Sequence, residues 1–117
     1  MSIAVDLEQL RATIDTMVRA PYLLTVSDDG RPHATAVTIT FSGATFALEV
    51  GRRSAANAGE RPDVTLLWPP VDDERFSLIV DGNAAVDGQA LVITPAKAIL
   101  HRQRADGPGS DCVVLEA

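Results

Sequence analysis

The chain has 117 residues, with 16 acidic and 10 basic side chains and a net charge of −6 at pH 7. A single domain over 1–117 is expected. Nucleic-acid and anionic-membrane surfaces are excluded, since both need an extended basic patch. The one cysteine, Cys112, excludes an internal disulfide, and neither a secretory leader nor an apolar run of roughly 18 residues is present, so a soluble, cytoplasmic protein is expected.

Between Asp6 and Arg19, the residues Leu7, Leu10, Ile14, Met17 and Val18 recur at helical spacing. They predict an amphipathic first helix with Asp6 as its N-terminal cap and Pro21 beyond its end. YLLTVS is a short apolar run. DDGRP is a turn in which Gly30 supplies a positive φ, and HATAVTITF alternates as a strand should. SGA is a second tight turn into TFALEV, which completes a three-stranded meander.

SAANAGE is small and helix-tolerant, with Pro62 as its stop. DVTLLW reads as a strand buried on both faces or closing a barrel, and PPVDDE as loop. RFSLIVDGNAAV and ALVIT form a hairpin across Asp87 and Gly88. Pro95 suits the first turn of a last helix, AKAILHRQR, and CVVLE reads as a closing strand. Dominant hairpin connections predict a mainly β fold with flanking helices, its six to seven mostly antiparallel strands closed or nearly closed into a barrel.

The stretch LEVGRRSAANAGERP, residues 48–62, holds a pair of arginines between an apolar strand and a helix. Arg52, Arg53 and Ser54 fall where that helix begins. Unpaired N–H groups and the positive end of the helix dipole suit a phosphate there, and guanidinium groups add charge-assisted hydrogen bonds. The competing reading is a surface connector with solvated arginines and Ser54 as a cap, because cations at a helix N-terminus oppose the dipole.

The ordered series decides between these readings. A DGRP turn leading into a β-branched strand, then LEVGRRSAANAGERPDVTLLW, an acidic loop and ERFSLIVDGNAAV resembles the FMN-binding split barrel of the pyridoxamine 5′-phosphate oxidase-like family. The resemblance runs from the first helix to about Arg104. It implies a split β-barrel whose flavin phosphate is held at Arg53 and Ser54, with Arg52 beside them. It also implies that His33, Thr35, Ala36, Val37 and Thr38 line the isoalloxazine ring, partly through their backbone, and that Leu67 and Trp68 lie near the cofactor or a dimer seam.

Thr35 and Thr40 stand where the oxidase itself carries basic residues, and the chain ends in CVVLEA without that enzyme's basic C-terminal segment. Oxidation of pyridoxamine phosphate is therefore not expected. The resemblance implies a homodimeric FMN-dependent oxidoreductase with cofactor sites at the dimer interface. An F420-dependent reductase, a non-catalytic flavin-binding or scaffold barrel, and a barrel that has lost its cofactor are the alternatives on the same fold.

The remaining polar residues assign no catalytic group and no metal. His33, His101 and Cys112 do not fall at a metal-ligand spacing. Lys97, His101, Arg102 and Arg104 are expected near the C-terminal end of the last helix, where its dipole favours cations. Asp72, Asp73 and Glu74 read as a solvated loop, and no nucleophile, base and orienter occur together.

Overall fold

The computed structural model describes residues 1–72 and 74–103. Ser2–Val5 forms β1, and a 3-10 turn at Leu7–Gln9 leads into α1, Leu10–Asp15. Four strands follow: β2 (Tyr22–Val26), β3 (Pro32–Ala36), β4 (Thr40–Ser42) and β5 (Thr45–Glu49). Helix α2 spans Arg52–Glu60, and β6 (Asp63–Trp68), β7 (Ser77–Asp87) and β8 (Ala90–His101) complete the described fold.

The eight strands form one antiparallel sheet in the order β3-β2-β6-β7-β8-β5-β4, with β1 added to the second half of β8. The two edge strands, β3 and β4, are successive in the chain, and only residues 37–39 join them. So short a link spans at most about 14 Å, which forces the sheet to curl until its edges approach. The Val37 N–H donates to the Pro21 carbonyl at 3.0 Å, and the Val37 side chain enters the core at 8% exposure. The result is a split barrel, closed by chain rather than by a ladder.

Alternation accounts for the core. Leu23, Phe46, Leu48, Val64, Leu66, Leu78, Val80, Leu91 and Ile93 point inward, while their neighbours along each strand turn out. DVTLLW, expected to be buried on both faces or to close the barrel, instead buries one face only, as β6 between β2 and β7 in the middle of the sheet. Gly30 and Gly88 adopt positive φ at their hairpins, 82° and 64°, which glycine reaches without steric cost.

Three further expectations are corrected. The first helix is shorter than Asp6–Arg19, and Asp6 makes no side-chain cap bond. HATAVTITF is two strands rather than one, because β3 pairs with β2 whereas β4 pairs with β5 at the other edge. The last helix is absent: Pro95 and AKAILH continue β8.

The third correction has two physical causes. The register shifts between Asp81 and Gly82, so Gly82 faces Pro95, Asp81 faces Lys97, and Ala96 is the extra residue of a bulge; a bulge tolerates the donor that proline lacks. Beyond it, residues Ala98 to His101 pair on both sides, with β7 and with the unforeseen β1. Two ladders outweigh the helical preference of an Ala-Lys-Ala sequence. Lys97, His101 and Arg102 therefore have no helix dipole to complement, and His101 Nδ1 instead lies 3.1 Å from Ser2 Oγ. Arg104, Asp73 and the closing strand expected at CVVLE lie outside the described residues.

Candidate functional site

Strand β3 is where the chain's polar chemistry collects. Its hydrogen-bonding residues face β2: Ser27 N–H donates to Arg31 O, and Val37 N–H to Pro21 O. The register pairs Thr25 with His33 and Leu23 with Thr35 between those ends. Antiparallel alternation then turns the N–H and C=O groups of Ala34 and Ala36 toward the open edge. An edge strand with unpaired backbone groups is a ready partner for a planar ligand or another strand.

A cleft of about 420 Å³ opens at one end of β3, between the β2–β3 turn and the first half of α2, and Arg31, His33, Arg53 and Asn57 line it. Arg53 and Asn57 stand one helical turn apart and so share a face of α2. Gly51, extended at φ −73° and ψ 172°, starts the helix without a side-chain cap.

The acidic groups of this cleft are already engaged. Asp28 accepts from Arg61 Nη2 at 2.6 Å, while Arg61 Nε donates to the Val26 carbonyl at 2.8 Å. Asp29 accepts from Ser27 Oγ at 2.5 Å and from the Arg31 N–H at 3.1 Å. The Ser27 hydroxyl, and secondarily the Arg31 amide, hold the Asp29 carboxyl below the usual carboxylate range. A depressed carboxylate stabilises the turn above its unfolded value, and that contribution is lost as pH falls through the folded one. Among the described residues, Arg31 and Arg53 form no ion pair.

Beneath the cleft lie Thr25, Ser54 and Asn57, the buried polar residues of the described chain. Asn57 Nδ2 donates to Thr25 Oγ1 at 3.1 Å. Thr25→Val should therefore strand a buried amide donor and cost about 1–3 kcal/mol; urea unfolding measures this, and an unchanged midpoint would mean water replaces the hydroxyl. His33 Nδ1 is buried with no partner. The orphaned His33 nitrogen belongs to a cleft lining that also holds two guanidinium groups without an ion pair among the described residues, a set of residues that fits an anion, and a phosphate in particular.

A second cleft, about 620 Å³, lies where β3 passes into β4. Ala36, Val37, Thr38, Thr40, Ala47, Glu49 and Ala90 contribute to its lining. It is apolar and built from small side chains, with Glu49 its one charged residue. The open edge of β3 leads from the first cleft to this one.

The structure thus divides the residues singled out from sequence. His33 and Arg53 meet in the first cleft, and Ala36, Val37 and Thr38 line the second. Thr35 is half-buried on the same face of β3 as His33. Ser54 is 2% exposed and turned into the barrel. Arg52 is exposed and lines neither cleft, and Trp68, 2% exposed, is a core residue packed 6.4 Å from Phe46. Leu67 is half-buried on the outer face.

Arg31 and Asn57 were missed. Arg31 sits in the quoted DGRP turn, and Asn57 lies one helical turn after Arg53, so the spacing of Arg53 and Asn57 was the signal available. Among the described residues no three His, Cys, Asp or Glu side chains gather as metal ligands, and no helix is long and apolar enough to cross a membrane.

No family model matches the sequence. Two uncharacterized proteins, of Mycobacterium bovis and Mycobacterium tuberculosis, are each 37% identical to it over 135 aligned residues, covering 95% of this chain and 94% of each relative. Among solved structures, a putative pyridoxamine 5′-phosphate oxidase from Listeria innocua superposes with a TM-score of 0.63 at 17% identity, covering 80% of this chain and 96% of that one. A FAD-binding protein of Mesorhizobium loti gives 0.60 at 11% identity, covering 86% and 96%. An F420 reductase gives 0.57 at 16% identity, covering 68% and 87%.

Proposed function

We propose a flavin-type cofactor site for this chain, which belongs to one family with the two mycobacterial proteins and has the split-barrel fold of the pyridoxamine 5′-phosphate oxidase-like proteins. The carrying observation is the orphaned His33 Nδ1 in a cleft with two unpaired arginines. Arg31, His33 and Arg53 hold the phosphate of FMN. The ring lies along the open edge of β3, where the Ala34 and Ala36 backbone groups hydrogen-bond its polar rim and Ala36, Val37 and Thr38 pack against it.

The cofactor supplies two-electron chemistry at its N5 position, so the activity is that of an oxidoreductase. The protein binds, orients and excludes water. A compact monophosphate suits a cleft whose lining brings Arg31, His33 and Arg53 together, and this favours FMN over F420.

A second copy of the chain covers the outer face of the sheet. Tyr22, Leu67, Ile79 and Ile99 are directly opposite one another on β2, β6, β7 and β8, and Tyr22 is 43% exposed. A continuous apolar row of this kind marks an association surface. Its end at Tyr22 faces Ala36 of β3, so a homodimer through this row brings the partner to the cofactor edge.

Titration with FMN tests the cofactor reading through flavin fluorescence. Arg53→Ala should weaken FMN binding by about 1–3 kcal/mol, the cost of a lost charge-assisted bond, and leave the melting midpoint unchanged. Arg52→Ala, outside the cleft, should bind as wild type. Equal affinity in Arg53→Ala and wild type would refute the phosphate assignment. Binding of F420 alone would transfer the site to that cofactor, and no binding of either would leave a scaffold barrel.

A further inference from the structure

We propose that the cavity beneath α1 is a separate small-molecule site that accepts a monocarboxylate with a benzene-sized apolar body. The cavity holds about 170 Å³ between Leu10, Phe41, Phe46 and Pro95, and it shares no lining residue with either cleft along β3. It opens to solvent on one side, and its size is that of an apolar cavity that takes up benzene, about 150 Å³. Leu10 and Phe46 are core residues, 3% and 1% exposed, so they form a packed floor, and the apolar surface offered to a ligand is that of Leu7, Phe41 and Pro95.

Arg11 is the one charged residue of the lining. Glu8 and Asp15 stand within one turn on either side of it, yet among the described residues Arg11 forms no ion pair. Its guanidinium instead lies 4.6 Å above the Phe41 ring. Arg102 stacks on Phe76 in the same way at 4.5 Å, but there Nη1 also donates to the Glu74 carbonyl at 3.0 Å. Arg11 has the stack without that hydrogen bond. A guanidinium held by its face keeps its in-plane N–H fork available, and that fork matches a carboxylate.

Charge and volume together set the ligand class. One cation over an apolar cavity balances one negative charge, so the acid head meets Arg11 at the mouth while the ring or branched chain fills the space against Leu7 and Pro95. Dianions and phosphates leave a charge without a partner there.

The test uses the full chain, sodium benzoate, and benzyl alcohol as its uncharged counterpart, followed by amide resonances of Arg11, Gly43 and Ala44 and by the emission of Trp68, whose ring lies 6.4 Å from Phe46. Benzoate should saturate at about millimolar concentration, and benzyl alcohol should bind roughly tenfold more weakly. Arg11→Gln should lower benzoate affinity about tenfold without changing that for benzyl alcohol. Ala44→Leu, at the exposed rim, should abolish both.

Equal affinity for the two probes, shifts that never saturate, or wild-type benzoate binding by Arg11→Gln would each overturn the proposal. Melting midpoints show whether the variants fold. If Arg11→Gln does not, retained benzoate binding by Ala44→Leu would overturn it instead.

Discussion

Phe46→Ala should lower the unfolding free energy by about 3–5 kcal/mol, the largest effect expected of a single substitution in this barrel. Phe46 is 1% exposed and stands on β5 between two other aromatic rings. Phe41 meets it edge-on at 5.4 Å and 75°, and Trp68 at 6.4 Å and 69°, the geometry that ring quadrupoles favour. Truncation would leave a cavity bounded by strand backbones that cannot collapse onto it. Domains of this kind carry about 5–15 kcal/mol of net stability, so the variant should unfold roughly 10 °C or more below wild type. Circular dichroism should follow the transition, since Trp68 emission is itself altered by the loss of Phe46. A cost below about 1 kcal/mol would show that the aromatic cluster is not the barrel's packing centre.

Gly82→Ala is the second large effect, expected at about 3 kcal/mol. A Cβ at Gly82 would stand 2.7 Å from Ile93 Cγ2 and 2.8 Å from the Thr94 carbonyl oxygen. A side-chain methyl can rotate away, whereas a backbone carbonyl can move only if β7 and β8 part. The position matters because the bulge beside it sets the register of the distal half of both strands, with Ile79 opposite Ile99 and Asp81 opposite Lys97. A slip of one residue would send the outer row inward. Urea unfolding measures the loss, and amide resonances of Ile79 to Ile99 report whether the register survives. A variant as stable as wild type would mean that the strands separate there without cost.

Much of the fold was legible because much of it is local. The β2–β3, β4–β5 and β7–β8 hairpins follow from period-two alternation on either side of turns with Gly30, Gly43 and Gly88, and glycine is the residue for which positive φ carries no penalty. Helix α2 begins at Arg52, just after the glycine that ends the strand, and ends at Glu60, before the expected stop at Pro62. The candidate site was legible in part, through His33, Arg53 and the backbone of β3. Arg31 was hidden inside a turn that reads as turn chemistry alone. Ser54 was misplaced toward the ligand, because a helix of small residues shows little amphipathic contrast to say which face is buried.

The sequence by itself determined the antiparallel hairpins, the position of the short helix, the acidic surface and the presence of an arginine pair beside a strand end. Each of these depends on residues within a few positions of one another. Only the tertiary structure decided that HATAVTITF divides between the two edges of the sheet, that β1 exists, and that residues after Pro95 extend β8. It alone set Arg31, His33 and Arg53 around one cleft. These outcomes rest on pairings between segments far apart in the chain, and backbone ladders of that kind override local preference wherever two of them meet on one strand.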